Sequence, residues 1–304
     1  LTKKGAGNLT LSAANAFTGA IKVEAGTLTL GAVNATTGAT LITGGTLSLT
    51  GSGEINSSSS VTINGSGAKL LQANSGSITP PVTLTQGALD GNGTLTTLTV
   101  ANSLANTIAA GNGAAGTLTT GTLTFNGAAT LNLRANGISS DEYIVTSNLT
   151  TSPSADVVIN ATNTAGVWTS GTVYPLIEFA TYSVGDASHF TLGTVPGLNP
   201  NQTATLVNTG SSIGLSITGE SLIWTGTPNA NWTVGGSTNW SYLGNPIGFS
   251  NNSPVVFDDS ASNFAVNLGS NVTPSAIVFD STTYKVVRTI RRDARVLECY
   301  LREA

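Results

Sequence analysis

Two pairs of adjacent acids, Asp141-Glu142 and Asp258-Asp259, are where this sequence comes nearest to hydrolytic chemistry. Cleaving a glycosidic bond takes two carboxyl groups flanking it, one giving a proton and the other acting as nucleophile or base. Neighbours in a strand point to opposite faces, so neither pair is expected to form a two-carboxylate site by itself. Both read as solvated turn or strand-end residues. A lyase-type site would add a basic Lys or Arg, but Arg134, the only arginine before residue 288, has no obvious partner in the sequence. His189 is the only histidine, which excludes a multi-His metal centre and leaves one base for a Ser-His-Asp arrangement. It sits in Asp186-Ala187-Ser188-His189-Phe190 without a Gly-x-Ser-x-Gly elbow, and reads as a structural or surface histidine. The single cysteine, Cys299, excludes an intrachain disulfide and a Cys-based zinc site, and is given no role. Asp90-Gly91-Asn92-Gly93 has the look of a calcium loop but lacks the downstream Glu and the Gly-Gly-x-Gly-x-Asp tandem. A turn is the simpler reading. No residue is assigned as catalytic, cofactor-binding or metal-ligating.

Two less specific features could bind rather than react. Thr27-Leu28-Thr29, Thr94-Leu95-Thr96, Thr117-Leu118-Thr119 and Thr122-Leu123-Thr124 could present outward threonines on successive strands, as on ice-binding solenoids. Ordinary strand propensity also explains them, and their uneven spacing argues against a regular lattice. Trp224, Trp232 and Trp240 could make a sugar-stacking platform, or else the core or cap of a β-module, the usual work of Trp.

The elements that must carry these residues are short strands. Alternation is plain in Leu9-Thr10-Leu11, Ile21-Lys22-Val23, Leu28-Thr29-Leu30, Leu47-Ser48-Leu49, Val61-Thr62-Ile63, Val82-Thr83-Leu84 and Leu131-Asn132-Leu133. Gly44-Gly45, Asn64-Gly65, Asn126-Gly127 and Asn136-Gly137 punctuate the runs. The phrase Gly-Thr-Leu recurs from Gly26, Gly45, Gly93 and Gly116, so each strand follows a turn at intervals of a few tens of residues. That is the pattern of a solenoid, whose repeats bury their apolar faces only against neighbours. The expected fold is all-β, a right-handed parallel β-helix with a β-rich cap and the start of a second β-module. About 20 residues per coil would give roughly seven coils in residues 1–140.

Composition agrees. Charged residues are 9% of the 304, so hydroxyls, amides and glycine must cover the surface. Residues 1–284 hold five Lys/Arg against twelve Asp/Glu, without a basic stripe, which argues against nucleic-acid binding. No run of 18 apolar residues exists, so no spanning helix is expected. The sequence opens on Leu1 inside a repeat and contains no Met, as expected of a piece of a longer protein.

Residues 1–140 are therefore read as β-helix, 141–220 as terminal coils and cap, and 221–284 as the Trp-containing start of a second solenoid unit. Residues 285–304 differ in kind: five of the six arginines and the only Cys, with no Gly, Ser or Asn. They fit either a charged terminal helix or an artefact such as a frameshift. The second is preferred because the repeat stops mid-pattern after Thr283-Tyr284.

Residues 5–30, GAGNLTLSAANAFTGAIKVEAGTLTL, closely resemble the autotransporter-associated β-strand repeat. Gly5, Gly7, Leu9, Leu11, Asn15, Phe17, Thr18, Gly19, Val23, Gly26, Thr27, Leu28 and Leu30 fill that pattern; later copies look shorn to Gly-Thr-Leu. The Trp-Thr-Gly…Asn-Trp…Asn-Trp block at 224–240 resembles a module of large bacterial proteins carrying such repeats. The resemblance implies an exported β-helical passenger region on a Gram-negative-type cell surface, made as a precursor with a signal, and supplies no catalytic residue. The expected function is a non-enzymatic, adhesin-like or structural passenger fragment. Its ligand is unknown, with a polysaccharide or another cell as candidates. The alternatives are a carbohydrate-active or carbohydrate-binding β-helix and a Thr-ladder ice-binding surface.

Overall fold

The computed structural model describes residues 1–166, 168–183, 187–198, 202–219 and 221–282. The Arg-rich tail with Cys299, and Asp186 beside His189, lie outside the described residues. The chain divides into two compact units, Leu1–Gly219 and Glu220–Ala304.

The first unit is a parallel β-solenoid. One ladder climbs through Asn8–Leu11, Thr27–Leu30, Gly45–Leu49 and the second half of Val61–Gln72. It continues through Val82–Gly91, Thr107–Ala110, Ala129–Asn136, Val157–Asn163 and Phe190–Leu192. A second ladder runs beside it from Thr2–Lys3 through Ile21–Val23 and Thr40–Ile42 to Val173–Tyr182. A third face, opening at Ser77–Ile78, is added where the corners lengthen. Alternation explains the core: Leu28, Leu30, Leu47, Val61, Ile63, Leu70, Leu89 and Leu131 point inward with at most 1% exposure.

Coil length is not constant. Asn8 pairs with Thr27, 19 positions on, whereas Val157 pairs with Phe190, 33 positions on. The extra residues sit in the corners and in longer strands on the other faces, where Ile21–Val23 gives way to Val173–Tyr182, so this ladder stays in register while the sequence spacing drifts.

The glycines of Gly-Thr-Leu have a steric reason. Gly26 and Gly45 both take left-handed φ, +67° and +69°. A Cβ on Gly45 would lie 2.2 Å from the carbonyl oxygen of Gly26 in the coil below. Only glycine lets the corners stack that closely.

The parallel ladder ends by changing direction. Val173–Tyr182 pairs in parallel with the preceding coil through Ile177–Tyr182, and antiparallel with Ser212–Thr218 through Val173–Glu178. Ser212–Thr218 in turn pairs antiparallel with Thr203–Asn208. This hairpin occupies a sheet edge that would otherwise offer free backbone groups.

The second unit is a smaller mixed sheet. Leu222–Trp224, Pro254–Asp258 and Ala276–Asp280 are parallel, while on the other side Trp240–Tyr242 pairs antiparallel with Leu222–Trp224 and then with Asn245–Ile247. Its core is aromatic: Trp224, Trp232, Trp240, Phe249 and Phe257 are each at most 4% exposed. Ring centroids of Trp224 and Trp240, and of Trp232 and Trp240, are 5.0 Å apart in edge-on geometry. Of the two readings of this cluster, filling a core is the one these indoles take, packed edge-on against one another with no open face.

Candidate functional site

The acids and the lone early arginine do meet, against the expectation from sequence. Ala129–Asn136 and Ser139–Thr151 form a tight antiparallel turn, with Arg134 opposite Glu142 and Ala135 opposite Ser140. A register shift between Arg134 and Ala135 brings both neighbouring acids onto one guanidinium. Arg134 Nε donates to Asp141 Oδ1 at 2.9 Å, and Nη1 lies 3.0 Å from Glu142 Oε1. Nη1 also donates to the Gly113 carbonyl at 3.2 Å. The alternation rule failed because it assumes regular pairing, and a bulge re-aims one side chain.

The cluster ties the corner together through one guanidinium. Glu142 is 8% exposed, and its Oε1 makes no hydrogen bond despite the nearby guanidinium. Burial raises its carboxyl above the usual range, Arg134 pulls the other way, and Asp141 and Asp90 push it further up. Asp141 and Arg134 hold each other, and that hydrogen bond is the main cause of the raised Arg134 pKa. On the adjoining coil Lys69 Nζ donates to Asp90 Oδ2 at 3.0 Å, and Asp90 Oδ1 accepts from the Asn112 amide at 3.1 Å. Asp90-Gly91-Asn92-Gly93 is therefore a corner clasp; a Cβ on Gly91 would fall 2.2 Å from the Gln72 carbonyl oxygen.

The second pair of acids shares no site. Asp258 Oδ1 accepts from the Ser260 amide at 2.9 Å, while Asp259 accepts from Ser281 and Thr282. His189 closes the 3-10 turn Ala187–His189 leading into the last parallel strand. No group of three or more His, Cys, Asp or Glu among the described residues could hold a metal ion.

Two surface arrangements were not legible from sequence. First, register gathers Thr62, Thr83, Thr99, Thr124 and Thr150 into one outward column on five successive coils. Thr97 and Thr122 stand beside it. The irregular spacing of the threonines in sequence is absorbed by the corners, so it did not forbid a ladder. Of the triplets named from sequence, only Thr122-Leu123-Thr124 contributes. Second, a groove of about 550 Å³ lies on the third face, where the cap hairpin joins the last long strand. Thr119, Thr146, Ser147, Glu178, Phe179 and Ser211 line it, with Thr120 beside them.

A stack of parallel coils with asparagine- and glycine-built corners defines a parallel β-solenoid. Its first coils belong to the autotransporter-associated β-strand repeat family: residues 1–30 and 21–49 each match the Passenger-associated-transport-repeat. The second match corrects the expectation of a single full copy. Equivalent positions lie 19 apart, with Asn15 over Asn34, Gly26 over Gly45 and Leu28 over Leu47. Where the first copy has Phe17 the second has Thr36, fully buried and donating from Oγ1 to the Gly19 carbonyl at 2.7 Å. That replacement hid the second copy. No curated protein matches the chain. No helix among the described residues is long and apolar enough to cross a membrane.

Proposed function

We propose that this chain is a non-enzymatic passenger segment displayed outside a Gram-negative-type cell, where it works as an adhesin-like stalk or structural surface layer. The observation that carries this reading is the continuous nine-strand ladder whose first coils match a passenger repeat. Stacked coils add length at about 4.8 Å each and hold their form through backbone pairing and buried aliphatic side chains. Among the described residues, the Arg134 cluster supports the same reading, because Arg134 engages Asp141 and Glu142 and the second carboxyl is buried.

The test is turnover. The intact protein is incubated with neutral and acidic polysaccharides, and reducing ends and unsaturated products are measured. No product above background is expected. Cleavage abolished by Glu142→Gln or by Asp258→Asn would overturn the non-enzymatic reading.

A further inference from the structure

The groove on the third face has a composition that selects its ligand. Its floor is a row across the sheet: Thr119 pairs with Val145, Val145 with Glu178, and Glu178 with Ser212 of the cap hairpin. Three strand spacings make this row about 14 Å long. The Phe179 amide donates to the Ser211 carbonyl at 2.9 Å, which fixes the hairpin as one wall. Next to this row the inward positions are also polar. Thr120 is 1% exposed and its Oγ1 has no hydrogen-bond partner among the described residues, an orphan at the margin of the groove. Thr146 pairs with Thr120 across the ladder and is itself 2% exposed. Thr120 and Thr146 face the interior, and Thr146 Oγ1 donates to the Asn148 carbonyl at 3.0 Å, so the groups a ligand would meet are the outward Thr119, Ser147, Glu178 and Ser211.

We propose that this groove binds a neutral saccharide segment. The lining hydroxyls both donate and accept, and Glu178 is an acceptor able to take two ligand hydroxyls at once. No Lys, Arg or His is among the lining residues, so an anionic ligand would meet the carboxylate without a counter-charge. An apolar ligand would dehydrate the hydroxyls and return no hydrogen bonds. One carboxylate does not make the multi-oxygen cage a divalent cation needs. A neutral chain of hydroxyls meets both the donors and the acceptor, and Val145, Pro175 and Phe179 offer apolar contact to its C–H edges. The groove is also of the size that encloses small ligands. This gives a ligand class to the surface-passenger reading, on which its biological meaning rests, while the chemistry of the groove stands separately from it.

The experiment is titration calorimetry of the intact chain against a panel of neutral gluco-, xylo-, manno- and N-acetylglucosamine oligosaccharides, with uronic-acid oligomers and a Ser/Thr-rich peptide as controls. Saturable binding to at least one neutral oligomer is expected. Glu178→Gln should weaken it at least tenfold, and Ser147→Trp, at an exposed rim position, should abolish it with unchanged far-ultraviolet circular dichroism. The inference is overturned if no neutral oligomer binds, if the folded Glu178→Gln protein binds as tightly, or if only the uronic oligomers or the peptide bind. Binding accompanied by cleavage would sink the non-enzymatic reading but leave the groove assignment standing; binding without cleavage supports both.

Discussion

Asn15 donates from Nδ2 to Oδ1 of Asn34 at 3.2 Å, one coil further along the solenoid. Each amide also donates to its own corner, Asn15 to Ala13 O and Asn34 to Ala32 O, both at 2.6 Å. The asparagine of the repeat is thus a rung that closes its own turn and stacks on the next. Asn34 is 1% exposed, whereas Asn15 is half-buried. Asn34→Ala should therefore destabilise the first unit by about 1–3 kcal/mol and Asn15→Ala by about 0.5–1.5 kcal/mol. Because the two share a bond, the double variant should lose less than the sum. Urea unfolding of the four proteins measures this; strict additivity would show that the stack contributes nothing beyond each turn.

Gly45→Ala places a methyl 2.2 Å from a carbonyl oxygen in the neighbouring coil and forces a side chain into left-handed φ. A loss of at least about 1–3 kcal/mol is expected. Gly7→Ala, with open space around its Cβ, should change stability by no more than about 0.5 kcal/mol. Thermal melts of the two variants give the comparison directly.

These two residues also show what could be read from sequence. The solenoid was legible because its signal is local: alternation fixes which side chains go in, and glycine marks each corner. The groove and the threonine column were not, because both depend on which coil lies over which. Thr83 and Thr99 are 16 positions apart and Thr99 and Thr124 are 25 apart, yet all three occupy one column. The Arg134 cluster was missed for a related reason, since a bulge overturned the alternation that placed Asp141 and Glu142 on opposite faces.

Glu142 makes stability depend on pH with a definite sign. Burial raises its folded-state carboxyl above the unfolded value, so the folded protein holds the proton more tightly. That contribution is fully present below the unfolded value and is lost as pH rises through the folded one. Glu142→Gln, a neutral mimic, should gain relative to the parent as pH rises above the ordinary glutamate value of about 4.3. Unfolding midpoints of both proteins below and above that value test it; a relative loss toward high pH would mean that the attraction of Arg134 outweighs burial.

All four tryptophans are at most 4% exposed. Acrylamide should quench native fluorescence weakly and quench strongly only after unfolding. Neutral oligosaccharides should leave the spectrum unmoved even when calorimetry records binding, since the groove contains no Trp. A sugar-induced shift would return the binding role to an indole.

Replacing Leu47, a fully buried rung of the aliphatic ladder, by Ala should cost about 2–5 kcal/mol. A cost well below this would mean that neighbouring coils relax into the space left behind.

Display of this solenoid outside the cell is tested by protease shaving of intact source cells followed by mass spectrometry. Peptides from residues 1–282 are expected in the shaved fraction, with a cytosolic marker retained inside. Recovery of these peptides only after lysis would contradict it.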